Sequence, residues 1–459
     1  MTRSTLEAAT PDAPLTHRSV LAVAVPIMAS NVSEPLIGIV DTAVLGQLGA
    51  AYYIGAISVG AMIFSFLFWA FGFLRMGTSG LTAQAAGARD NDEIRAALGR
   101  ALLIAGLMGT ALIVLGPLLS LVAFHLIEAS AEVENHARTY FDIRIWSAPA
   151  ALANYAFLGW FIGMGKAHLA FLLQLVLNAA NAALDALFVL VLELDVVGVA
   201  LGTVLAQVGA AALGCLLVAR DLEGRGGHWN WQAIRAPERL RRTIAVNSDI
   251  MVRSLCLLFA FAWFTAQGAR SGDVVLAANA VLYSMLMFNA YLLDGFAFAA
   301  ETLVGQSVGA RDADRFSRAV RLSSAWAAVV GFGLGAAIWL GGGLVIDLLT
   351  VNAAVRETAR TYLGWAALTP AVGFVCFQLD GIFIGATRTA DMRNMMIVSL
   401  AVYLAMWALL APIYGNHGLW MALVVFFVVR GVTLGLRYPA LVRDSFGAAG
   451  LTRGTAAGE

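Results

Sequence analysis

The chain has 459 residues, of which 60% are hydrophobic and only 13% charged, with a mean hydropathy of +0.80. Soluble domains carry about 25% charged residues, and half that complement cannot keep a surface of this size wetted, which excludes a soluble enzyme or a disordered scaffold. The 29 basic and 29 acidic side chains cancel, so no net field draws the chain to nucleic acid, and the composition is that of a polytopic membrane protein.

Residues 1–17 are polar, contain Pro11 and Pro14, and lack the basic start and short apolar core of a signal peptide, so they read as a retained tail. Runs of about 20 apolar residues, enough to cross the hydrocarbon core, then recur twelve times. The first six lie near 18–45, 52–85, 96–122, 139–163, 168–192 and 196–219; the second six lie near 245–268, 274–307, 318–341, 359–385, 393–413 and 417–438. The second and eighth exceed what a bilayer demands and are expected to project or tilt. The polar stretch 220–244 is the natural boundary between an N-lobe (18–219) and a C-lobe (245–438), and 439–459 form a second tail. The three cysteines each sit in an apolar run, which suggests neither a disulfide framework nor a zinc site. With a cytoplasmic start, the loops that fall inside hold 20 of the 28 arginines, whereas the opposite loops and their edges hold only Arg138, Arg270, Arg356 and Arg360. The positive-inside bias therefore puts both termini in the cytoplasm.

The two halves repeat. Gln84, Gly87, Ala88, Arg89 and Asp90 match Gln306, Gly309, Ala310, Arg311 and Asp312 at a spacing of 222 positions. The same spacing carries Ala137-Arg138-Thr139-Tyr140 onto Ala359-Arg360-Thr361-Tyr362, and Ile162-Gly163 onto Ile384-Gly385. An even number of spans per repeat makes both halves enter the membrane in one direction. The expected fold is all-α: two six-helix bundles related by a pseudo-two-fold axis along the membrane normal, an architecture that works by rocking around a central cleft.

Ionisable groups at bilayer depth are costly and are functional candidates by default. In the first half these are Glu34, Asp41, Arg75 and Asp185; in the second they are Asp249, Arg253, Asp294, Glu301, Asp380 and Arg430. Glu34 and Asp41 are seven apart, on one face of the first helix, which Pro26 and Pro35 make bendable. On the fifth helix Asn181 and Asp185 are four apart, with Asn178 on the adjoining position. Thr203 on the sixth can add a hydroxyl, so this set is half of a cation or proton site, or else an interhelical hydrogen-bond clamp. Asp249 and Arg253, four apart, are expected to pair along their own helix. Asp294 and Glu301 share a face, and Asp380 lies on the tenth helix; for these charges a structural network and a transport role are both open. The stretch YSMLMFNAY (283–291), with Met285, Met287 and Tyr291, suits an adaptable apolar substrate wall, although packing or lipid contact is the commoner use of such residues. No phosphate-binding G-x-x-x-x-G-K-[ST], H-E-x-x-H or G-x-S-x-G is present. The chain is thus expected to be neither an ATP motor nor an enzyme, and any pumping should draw on an ion gradient.

The strings PIMASNVSEPLIGIVDTA (26–43), FLRMGTSGLTAQAAGAR (73–89), LDGFAFAAE (293–301) and LDGIFIGATR (379–388) resemble the multidrug and toxic compound extrusion (MATE) transporters, in particular their DinF branch. The resemblance spans about residues 18–438. It implies a multi-pass antiporter of the inner membrane that extrudes cationic, amphiphilic or aromatic drug-like compounds in exchange for protons, with sodium as the other candidate ion. It implies no cofactor and no metal beyond sodium; a monomer in the bilayer is expected. In that branch the cation site combines a first-helix Asp with an Asn, an Asp and a Thr, which map here onto Asp41, Asn181, Asp185 and Thr203, and Pro26 is where the first helix bends. Glu34 stands where relatives commonly have a neutral residue. The alternatives are a lipid-linked oligosaccharide flippase of the same superfamily, which would need a strongly cationic cavity that the acidic first half does not offer, or a gated channel.

Overall fold

The structure is a computed structural model that describes residues 14–45, 51–127 and 129–447; its description of side chains excludes 34–45 and 51. Every regular element among the described residues is helical, as expected where no water is available to satisfy an open strand edge. In chain order they are α1 (His17–Leu45), α2 (Ala51–Ala70), α3 (Phe73–Gly87), α4 (Asn91–Val114), α5 (Gly116–Leu126), α6 (Ala131–Arg144) and α7 (Ala148–Gly163). There follow α8 (Ala167–Ala186), α9 (Asp195–Glu223), the short α10 (Trp231–Arg235), α11 (Pro237–Arg270) and α12 (Asp273–Gly309). The last four are α13 (Ala313–Leu349), α14 (Ala353–Gly385), α15 (Thr389–Tyr414) and α16 (Asn416–Phe446). Among the described residues 11 helical stretches are long and apolar enough to cross a membrane, and α1, with 29 residues, precedes them. The protein is a multi-pass membrane protein.

Three expected spans are interrupted. The second breaks at Phe71-Gly72, where Phe71 N–H reaches Phe68 O (2.9 Å) and Gly72 N–H reaches Trp69 O (3.1 Å). Such three-residue closures are tighter than the α-helical ladder. The third stops at Val114 because Pro117, in the first turn of α5, brings no N–H to continue the ladder. The fourth opens with α6 and a three-residue turn before α7, which begins with Ala148-Pro149. The eighth span, by contrast, is one unbroken helix of 37 residues.

By proximity the chain divides into two compact units, residues 1–28, 86–89 and 245–459 in one and 29–85 and 90–244 in the other. In the second of these, α4 lies along α7, α8 along α9, and α2 along α6. In the first, α12 and α13 both lie along α14, and α15 along α16.

The 222-residue repeat is visible in the backbone. Arg89 (φ 56°) and Arg311 (φ 55°) both take the left-handed conformation that most side chains avoid. After each, an aspartate caps the next helix: Asp90 accepts from Glu93 N–H and Asp312 from Arg315 N–H, both at 2.9 Å. Gly165 (φ 73°) and Thr387 (φ 54°) form a second matched pair of turns. Behind them Lys166 pairs with Asp221, and Arg388 with Asp391 and Asp444.

The helix contacts repeat too. On α7, Gly159 and Gly163 lie so close to α3 that an added methyl would overlap the carbonyl oxygens of Arg75 and Ser79. On α14, Gly381 and Gly385 meet the carbonyls of Ala297 and Glu301 on α12 in the same way. Glycines four apart let helix backbones touch, which is how membrane helices gain contact when lipid is as apolar as leucine.

Candidate cation site and its surroundings

The amide and the carboxylate of α8 meet the hydroxyl of α9. Asn181 Nδ2 donates to Asp185 Oδ2 at 3.0 Å and lies 3.4 Å from Thr203 Oγ1, which itself donates back to Val199 O at 3.0 Å. Asp185 is 1% exposed. Room for its carboxylate comes from Gly202, where an added Cβ would overlap Asp185 Oδ1. One turn earlier Asn178 donates to Ser33 Oγ (3.3 Å) and accepts from Gln174 Nε2 (2.9 Å). Immediately after this face, Leu187–Val191 widen into a π-helical turn closed by Leu192 N–H on Leu187 O (3.1 Å). Such insertions recur at functional sites because they re-aim side chains without ending the helix. The cluster thus offers carboxylate and hydroxyl oxygens bridged by the Asn181 amide N–H, hard oxygens suited to a proton or to a small cation.

Sequence spacing finds Asn181 and Asp185 but not the part played by Gly202, whose only visible signal is its place one residue before Thr203. Gly202→Ala is expected to leave folded protein but displace the Asp185 carboxylate, lowering transport at least as much as Thr203→Ala. Gly209→Ala, a site with nothing within 4 Å, should behave as wild type in the same flux assay. The side chains of Glu34, Pro35 and Asp41 lie outside the described residues. Pro26 is buried, and α1 runs unbroken across it.

In the second half the expected pairing of Asp249 with Arg253 along α11 gives way to partners on other helices. Asp249 accepts from Thr389 Oγ1 (2.9 Å) and Arg393 (2.6 Å), both on α15. Arg253 instead pairs with Asp380 on α14, and Arg430 on α16 binds the same Oδ2 at 2.7 Å. Buried charges choose the partner with the better hydrogen-bond geometry, and a facing helix offers it where an i, i+4 neighbour does not. Asp294 is half-buried on α12, and Glu301, buried on the same helix, supplies the carbonyl that Gly385 meets. Met285 belongs to the packed interior with Leu257, Phe264 and Leu282, and Met287 lies against its edge. Tyr291 is half-buried. A small apolar cavity opens on the neighbouring face of α12, between Leu286, Asn289, Leu293, Phe377 and Phe427.

Eleven apolar helical stretches among the described residues, the internal repeat and a buried carboxylate held by an amide define a polytopic membrane protein of transporter type. The MatE family model matches the chain twice, over residues 26–187 and 250–409, and the chain belongs to that family of membrane transporters; it is not an enzyme. DNA damage-inducible protein F of Escherichia coli (strain K12) is 41% identical over 412 residues, covering 90% of each chain. A probable multidrug resistance protein NorM of Bradyrhizobium diazoefficiens is 26% identical, covering 93% of this chain and 94% of that one. A crystal structure of MATE in the straight conformation superposes with a TM-score of 0.84 at 18% identity, covering 96% of this chain and 99% of the other.

Proposed function

We propose that the protein is a multidrug antiporter that exports cationic, amphiphilic or aromatic compounds by alternating access in exchange for protons. It would act as a monomer in the cytoplasmic membrane with both termini inside. The observation that carries this reading is the buried Asp185 carboxylate held by Asn181 beside Thr203. A charge at that depth costs several kcal/mol, and a hydrogen-bond clamp alone would need only the amide. The role of Asp41 rests on the resemblance of its helix to the family pattern. Kinship with proteins named for multidrug resistance supports the substrate class, and sodium would use the same oxygen ligands.

Everted vesicles holding the purified protein, with proton and sodium gradients imposed separately, test the reading. Drug addition should release protons in the wild type under a proton gradient and do nothing under sodium alone. Asp185→Asn and Asp41→Asn should each abolish that release in protein that still elutes as a single species. Exchange at the wild-type rate in both variants would remove the cluster from the mechanism, and drug movement driven by sodium alone would reassign the ion.

A further inference from the structure

The polar segment between α9 and α11 contains no spanning helix, yet buried side chains hold it in place. Arg95 on α4 donates NH1 to Gly226 O (2.7 Å) and NH2 to Leu222 O (3.1 Å) and Arg225 O (2.9 Å). Arg100, on the same helix, donates NH1 to Ala233 O and Nε to Thr243 Oγ1, both at 3.2 Å, and pairs with Glu93. Asp92 accepts from His228 N–H at 2.7 Å, and Asn230 caps α10 through Gln232 N–H. Ile234 plugs the notch left by Gly99. The segment is therefore a strap pinned on both sides of Trp229 and Trp231.

Those two indoles are nevertheless 49% and 64% exposed. Ordering a backbone costs about 1–2 kcal/mol per residue, and here the ordered product is a fixed pair of uncovered aromatic rings. The Arg235 guanidinium lies 5.4 Å above the Trp231 ring. Arg220 and Arg241, at the flanking helix ends, are exposed like Arg235, and no ion pair engages the three among the described residues; the exposed Glu223 and Glu238 share the region.

Depth selects the occupant. The apolar part of α11 begins near Ile244, seven residues from Pro237, or about 10 Å along a helix. The headgroup layer extends roughly 5–8 Å beyond each face of the hydrocarbon core, so the strap's junction with α11 lies just beyond that layer, within reach of it for a tryptophan or arginine side chain. Indoles favour that layer, and guanidinium forks match phosphate oxygens.

We propose that the strap is a docking site for anionic phospholipid headgroups, with Trp229 and Trp231 seated in the interface and Arg235, flanked by Arg220 and Arg241, holding the phosphate. The site is independent of the ion-coupling cluster and asks nothing of it.

Full-length protein in nanodiscs tests the assignment. Subtracting the emission of a Trp229→Phe/Trp231→Phe double variant from that of the wild type isolates the two indoles. That component should be quenched by bromine-bearing phosphatidylglycerol, more strongly than by bromine-bearing phosphatidylcholine, and should resist aqueous iodide. Arg235→Gln should reduce the preference for the anionic lipid by about fivefold, the worth of one basic residue near a charged surface. Emission open to iodide and untouched by brominated lipid would overturn the proposal in favour of a soluble partner. Equal quenching by both lipids, unchanged in Arg235→Gln, would overturn the anionic selectivity.

Discussion

Asp380→Asn is expected to cost roughly 3–5 kcal/mol of stability, the usual loss when one member of a buried ion pair is removed. It should be read as a fall in the thermal midpoint of the detergent-solubilised protein. Asp380 is 4% exposed and Arg430 1%, and both guanidinium partners converge on the single oxygen Oδ2. Without the carboxylate, two cations from α11 and α16 would face each other with little water to screen them. The rings of Phe426, Phe427 and Phe377, 5.4, 5.7 and 5.8 Å from the Arg430 guanidinium carbon, offer a cation–π contribution of about 2 kcal/mol at most sites of this kind, too little to replace a carboxylate. Adding Arg430→Gln to Asp380→Asn restores the original charge balance and should recover part of the loss. A midpoint unchanged in the single variant would show that the pair carries no stability.

The second large effect concerns Gly381. Gly381→Ala should lower stability by about 1–3 kcal/mol, the range for an overpacked contact, and Gly381→Leu should yield no monodisperse protein in fluorescence-detected gel filtration. The obstacle is the Ala297 carbonyl, with that residue's Cα 3.0 Å away, and backbone cannot rotate aside as a side chain can. Gly333→Ala on α13 is the matched control, since nothing lies within 4 Å of a Cβ there. Equal behaviour of the two alanine variants would refute the close-contact argument.

The spans and the duplication are legible in the chain because both are one-dimensional signals. Hydropathy over twenty residues shows a membrane segment, and a fixed 222-residue spacing shows a repeat without any knowledge of packing. Breaks inside spans are harder to see: Phe71-Gly72 lies within a continuous apolar run, and its turn depends on local backbone closure. Partner choice is harder still. Helical spacing sets Arg253 beside Asp249, but it carries no information about α14, where Asp380 waits. Asn181 and Asp185 escape this limit because they share one helix, so their spacing alone brings them together; the approach of Thr203 depends on how α8 meets α9.

The glycine contacts of α3 with α7, and of α12 with α14, have a mechanical consequence. Two helices touching carbonyl to Cα have no side-chain cushion between them to compress or shear, so each couple behaves as one stiff beam. Elastic deformation in a working cycle must then be taken up where the ladder is already incomplete. In α1, Pro26 and Pro35 each delete a hydrogen bond from the rod, so α1 is expected to bend more readily than either couple.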